Sequence, residues 1–108
     1  MEYEHSRTVP RYFLRTNIEI TDVQSGVRSK GQTINLSLCG CCMVTSQPLP
    51  RGTSLKIVLS RGETHVETLG RVIYANAELG MGIVFTRVEP ESEQILNGWI
   101  SELAAKPI

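Results

Sequence analysis

Thr53-Ser54-Leu55-Lys56-Ile57-Val58-Leu59-Ser60, then Arg61-Gly62-Glu63, then residues 64–75 decide the fold of this 108-residue chain. Leu55, Ile57 and Leu59 stand two apart, the period at which side chains of a β-strand share a face. A glycine between two charged residues is the chemistry of a tight reversal. The two flanking runs therefore read as a β-hairpin, the fourth and fifth strands of the chain.

The same grammar continues outward. Toward the amino terminus, Gln47-Pro48-Leu49-Pro50-Arg51-Gly52 closes a compact apolar run over 41–46, read as the third strand. Before it, residues 27–36 are polar and interrupted by Gly31, which suits an edge or bulged second strand. Leu14, Ile18 and Ile20 mark a first strand, and Ser25-Gly26 turns the chain after it. Toward the carboxyl terminus, residues 76–80 lead into a sixth strand over 81–86. The period then changes. Pro90 suits a first helical turn, Glu91 and Glu93 favour the helix dipole there, and Ile95, Leu96, Trp99, Ile100 and Leu103 recur as one apolar stripe. Six short strands and a docked helix predict a mainly all-β chain: a six-stranded antiparallel β-barrel with a C-terminal α-helix. One domain over 1–108 is expected, with an N-terminal arm over 1–12, the barrel over 13–88 and the helix over 89–105.

Charge and composition narrow the function. Eleven Lys plus Arg balance eleven Asp plus Glu, so no global field draws the chain to DNA, RNA or an anionic membrane, and any anion site must be local. No signal-peptide pattern opens the sequence, and no apolar run approaches the roughly 20 residues that span a bilayer, so a cytoplasmic location is the expectation. Three cysteines, Cys39, Cys41 and Cys42, make an odd and crowded set. Their spacing is not that of paired zinc ligands, and a fourth ligand would have to come from His5 or His65. They are read as small core fillers, with no metal and no cofactor. His65 has no identifiable nucleophile beside it, so no enzyme is expected. Tyr74, near the end of the fifth strand, could stack on a base, but an aromatic on a barrel strand is more often core or rim packing, so it is left out of the site, and Trp99 is read as a packing anchor.

Two polar signatures remain. Arg7-Thr8-Val9-Pro10-Arg11 sets two guanidinium groups four residues apart on a segment with few apolar anchors, suited to bidentate contact with phosphate oxygens or a guanine edge. Asn35-Leu36-Ser37-Leu38-Cys39-Gly40 offers short hydrogen-bonding side chains beside a glycine that permits close approach. Asn-x-Ser before a glycine is also ordinary turn chemistry, since both side chains can bond nearby backbone amides.

RxxxR followed by [D/N]xSxxG, within a short β-rich chain that ends in an amphipathic helix, resembles the PilZ domain family of bacterial signalling proteins. The resemblance extends through Pro50-Arg51-Gly52, through Gly70-Arg71-Val72-Ile73-Tyr74 and through Gly80-Met81-Gly82-Ile83-Val84-Phe85. It implies a PilZ-type barrel, cyclic di-GMP as ligand, and binding by Arg7, Arg11, Asn35, Ser37 and Gly40. The arginines would clamp phosphate or guanine, Asn35 and Ser37 would bond guanine or sugar, and Gly40 would leave the approach open. Arg11 and Arg15 also satisfy RxxxR, but Arg15 falls within the first strand and is kept as a peripheral contact. Ser6 stands where many members carry a further arginine. The expected function is a receptor that orders its N-terminal arm on binding ligand and passes that signal to an effector protein. The alternative is an interaction module with little nucleotide affinity, acting in motility or type IV pilus regulation.

Overall fold

The computed structural model describes residues 9–105. Arg7, Ser6 and most of the arm expected over 1–12 lie outside the described residues. Seven strands precede one helix: β1 (Tyr12–Phe13), β2 (Asn17–Asp22), β3 (Arg28–Leu36), β4 (Gly40–Val44), β5 (Ser54–Arg61), β6 (Thr64–Asn76), β7 (Gly80–Val88) and α1 (Pro90–Ala105). Every pairing is antiparallel, in the order β3-β2-β5-β6-β7-β4. β4 returns to β3 and closes a six-stranded barrel, while β1 lies outside it against the end of β3. Closure removes the open sheet edges on which other chains can template.

Alternation along the strands fills the interior with Ile18, Ile20, Leu36, Cys41, Met43, Leu55, Ile57, Leu59, Val66, Val72, Met81, Ile83 and Phe85. The hairpin read from residues 53–75 is the middle of this barrel, with Leu55, Ile57 and Leu59 all inward. α1 packs on β6 and reaches β1. Leu96 and Trp99 complete the core, and Ser92 accepts a 2.9 Å hydrogen bond from the Glu67 N–H. The Trp99 indole N–H donates to Thr64 Oγ1 at 3.1 Å, and Arg61 pairs with Glu102 at 3.1 Å, so the β5–β6 turn and the helix hold each other.

Two sequence expectations change. The first strand is broken: β1 ends at Phe13 and β2 begins at Asn17. Between them Thr16 and Thr33, both buried, exchange backbone and side-chain hydrogen bonds, and Thr33 Oγ1 also donates to the Leu14 carbonyl at 2.7 Å. The second strand is bulged, with its register shifting between Thr33 and Asn35, but it is not an edge: β1 and β2 flank one side and β4 the other.

Cys41 faces the core, and burial pushes its thiol up to about 12 from an ordinary 9.0; neighbouring Cys42 adds to the rise and the Arg11 charge opposes it. The folded state therefore holds this proton more tightly than the unfolded chain does. The associated stability is whole below pH 9 and is lost as pH climbs toward 12. We expect the urea midpoint to fall across this range, Cys41 contributing a slope of about 1.4 kcal/mol per pH unit. Cys41→Ala should flatten that slope; a variant as steep as wild type contradicts the assignment.

Candidate functional site

The outer face beside the β3–β4 junction gathers most of the described signature residues. Leu36 and Cys41 point inward, so their neighbours Asn35 and Cys42 point outward. Registers then line up across five strands: Phe13 lies opposite Asn35, Asn35 opposite Cys42, Cys42 opposite Gly82, and Gly82 opposite Tyr74. At about 4.8 Å per strand this lateral row spans roughly 19 Å. Phe13 is 73% exposed at one end and Tyr74 is 40% exposed at the other.

Asn35 is second in the row, between Phe13 and Cys42. Its Oδ1 is buried and has no hydrogen-bond partner among the described residues. Leaving such an acceptor unpaired costs about 1–3 kcal/mol, so a native structure that keeps one calls for a donor from outside the set described.

Arg11 precedes β1 directly and is exposed, with no ion pair among the described residues. Its charge is felt at Cys41 and at Tyr74, which places it over the same corner of the barrel. Arg11, Phe13 and Arg15 are exposed at alternate positions, with partly or fully buried residues between them. Arg15 therefore joins the outward run, beyond Phe13. Arg7 lies outside the described residues.

Ser37 and Gly40 sit at the site but serve the backbone. Ser37 is 2% exposed, and its Oγ accepts 3.1 Å hydrogen bonds from the amides of Cys39 and Gly40. The Ser37 N–H donates to the Gly40 carbonyl at 2.9 Å. These bonds fold residues 37–40 into the turn that feeds β4, which is the turn chemistry open to this motif. A Cβ on Gly40 would lie 2.2 Å from the Ile83 carbonyl oxygen, so this glycine lets β4 approach β7.

Tyr74, set aside as packing on the sequence, closes the row. Its hydroxyl donates to Cys42 Sγ at 3.3 Å, and that bond, with burial next and the cysteines after, pushes the phenol up to about 12. Only the register β6–β7–β4 reveals this neighbourhood, and no sequence spacing carries it. Elsewhere, a cleft of about 470 Å³ on the outer face of β2, β5 and β6 is lined by Arg28, Lys56 and Arg87 together with Glu19, Glu67 and Glu89, a balance that favours neither sign of ligand. Among the described residues no group of His, Cys, Asp or Glu is placed to hold a metal ion, and no helix is long and apolar enough to cross a membrane.

No curated protein sequence matches the chain. Among solved structures, the Bacillus subtilis inhibitor of motility MotI/DgrA superposes with a TM-score of 0.72 at 16% identity, covering 94% of this chain and 53% of its own. The chain thus spans about half the length of that protein. The PilZ domain of CeSA from a cellulose-synthesizing bacterium gives 0.70 at 21% identity, covering 88% of this chain and 98% of that one. The PilZ domain of YcgR from Escherichia coli, solved with c-di-GMP, gives 0.65 at 17% identity and covers 89% of each chain. At these identities the likeness is one of fold. The model of the PilZ domain, however, matches residues 4–102, a span that takes in both signatures, every strand and most of the helix, and on that match the chain belongs to the PilZ domain family.

Proposed function

We propose that this chain is a receptor for cyclic di-GMP, binding it on the outer face around Arg11 and Asn35. The observation that carries the reading is the buried Oδ1 of Asn35, which has no hydrogen-bond partner among the described residues, with the exposed Arg11 just ahead of the strand that pairs with Asn35 and without an ion pair among those residues. A buried acceptor and an exposed cation on adjoining segments ask for a ligand with both N–H donors and anionic oxygens. Guanine N–H groups and phosphodiester oxygens supply that combination in one molecule.

Each residue then has a task. Arg7 and Arg11 clamp phosphate or the guanine O6/N7 edge, with Arg15 as a peripheral phosphate contact. Asn35 accepts from guanine. Ser37 and Gly40 hold the 37–40 turn against β7, with any direct contact by Ser37 secondary to its backbone bonds. Tyr74 and Phe13 offer π-faces at the ends of the row. No bond is made or broken: the output is an ordering of the arm ahead of β1 over the bound nucleotide, read by an effector protein; Tyr12, which the sequence counts with that arm, is already paired with Leu36 in β1. Amide exchange is expected to slow in residues 1–11 and 35–40 when cyclic di-GMP is added, with Pro90–Ala105 changing far less; protection chiefly along the helix contradicts that ordering.

Calorimetric titration tests the ligand. Cyclic di-GMP is expected to bind well above GTP or cyclic AMP, because it alone brings two guanines and two phosphodiesters. One observation favours a second reading: Ser37 and Gly40 are used by the fold itself, so a PilZ chain can keep them with no ligand to bind. Absence of heat at high micromolar cyclic di-GMP would favour that interaction module.

A further inference from the structure

We infer that Cys42 and Gly82 are positioning residues that hold the Tyr74 ring flat across β7, making a fixed aromatic platform for a planar heterocyclic base beside Asn35. The platform role rests on the receptor reading above; the positioning does not.

Tyr74 belongs to β6, yet its hydroxyl reaches Cys42 on β4, two strands away, at 3.3 Å. The ring can cross the intervening strand only because position 82 has no side chain. A Cβ there would lie 2.0, 2.4 and 2.6 Å from Cε2, Cδ2 and Cζ of Tyr74, so the ring occupies the volume a side chain would fill. Cys42 is 5% exposed but stands outside the core cluster that takes in its neighbours Cys41 and Met43. Its sulfur faces the outer side, where its described hydrogen-bonding contact is the tyrosine hydroxyl. Anchored at both ends, the ring keeps one face on the Gly82 backbone while the residue remains 40% exposed. A base stacking there meets a surface already ordered, so little rotamer freedom is lost on binding.

The upward shift of the Tyr74 phenol supplies a readout that does not depend on ligand. Alkaline absorbance titration of the full chain, with Tyr74→Phe as the difference reference, isolates that phenol. Cys42→Val, which removes the acceptor and the thiol's charge, should bring its midpoint from about 12 back toward the ordinary 10.0. Gly82→Ala should lower it as well. This variant is expected to fold, because the atoms in its way belong to a side chain that can swing aside.

In parallel calorimetry with cyclic di-GMP, Tyr74→Leu should weaken binding about tenfold or more, the scale of a lost base–aromatic stack. Cys42→Val and Gly82→Ala should each weaken it about three- to tenfold, and Cys42→Ser less than twofold, with melting temperatures close to wild type. An unchanged phenol midpoint in Cys42→Val overturns the positioning role. A lowered midpoint with unweakened binding in Cys42→Val and Tyr74→Leu overturns the platform. A wild type that binds no cyclic di-GMP overturns the receptor reading and the stacking with it, while a lowered midpoint would still uphold the positioning.

Discussion

Replacing Arg11 by alanine is expected to weaken cyclic di-GMP binding by roughly 1.5–3 kcal/mol, about ten- to 150-fold, and the Arg7→Ala, Arg11→Ala double variant should bring it to the edge of detection. The size follows from what Arg11 lacks. It is exposed and has no acidic partner among the described residues, so an incoming phosphate need not displace an existing ion pair. Its charge also reaches Cys41 and Tyr74, on the two sides of the strand wall that carries Asn35, whose Oδ1 has no partner among the described residues. Removing it should leave the barrel intact, because Tyr12 and Phe13 hold β1 through their pairing with Leu36 and Asn35. Calorimetry should therefore show lost affinity at an unchanged melting temperature. Equal binding by wild type and the double variant would contradict the placement of the site.

Gly40→Ala is expected to act in the opposite manner, costing about 3 kcal/mol of stability and lowering the melting temperature by more than about ten degrees. The obstacle is backbone: the new methyl would lie 2.2 Å from the Ile83 carbonyl oxygen and 3.2 Å from Val84 Cα, on a strand locked between β6 and β4. Neither atom can rotate away, so β4 must separate from β7 and loosen the barrel at its closure. Thermal denaturation of the variant checks this. A melting temperature within a degree or two of wild type would mean that the glycine serves ligand approach instead.

The contrast between these two variants tracks what the sequence could reveal. The middle of the barrel was legible because the period of Leu55, Ile57 and Leu59 and the turn at Gly62 are local properties. The helix was legible for the same reason, and Trp99 is the packing residue its stripe predicted. The break between β1 and β2 was not, because it depends on Thr16 meeting Thr33, seventeen residues away. Nor was the inner position of β3: a polar strand with a glycine looks like an edge until closure brings β4 to its other side. Of the proposed site, the order of the signatures named Arg11, Asn35, Ser37 and Gly40, which lie just ahead of β1, on β3 and at the turn into β4. Tyr74 and Cys42, thirty-two residues apart, become neighbours only through the registers on either side of Gly82, and no pattern along the chain encodes that row.

The most direct test of the account is amide and side-chain NMR of this 12.0 kDa chain during titration with cyclic di-GMP. Saturable shifts are expected at Arg11, Phe13, Asn35, Gly40, Cys42, Tyr74 and Gly82, with the Asn35 side-chain amide among the most affected, and with Glu19, Lys56 and Glu67 on the far face unchanged. Shifts concentrated at that far face, or a spectrum unaltered at high micromolar ligand, would contradict it.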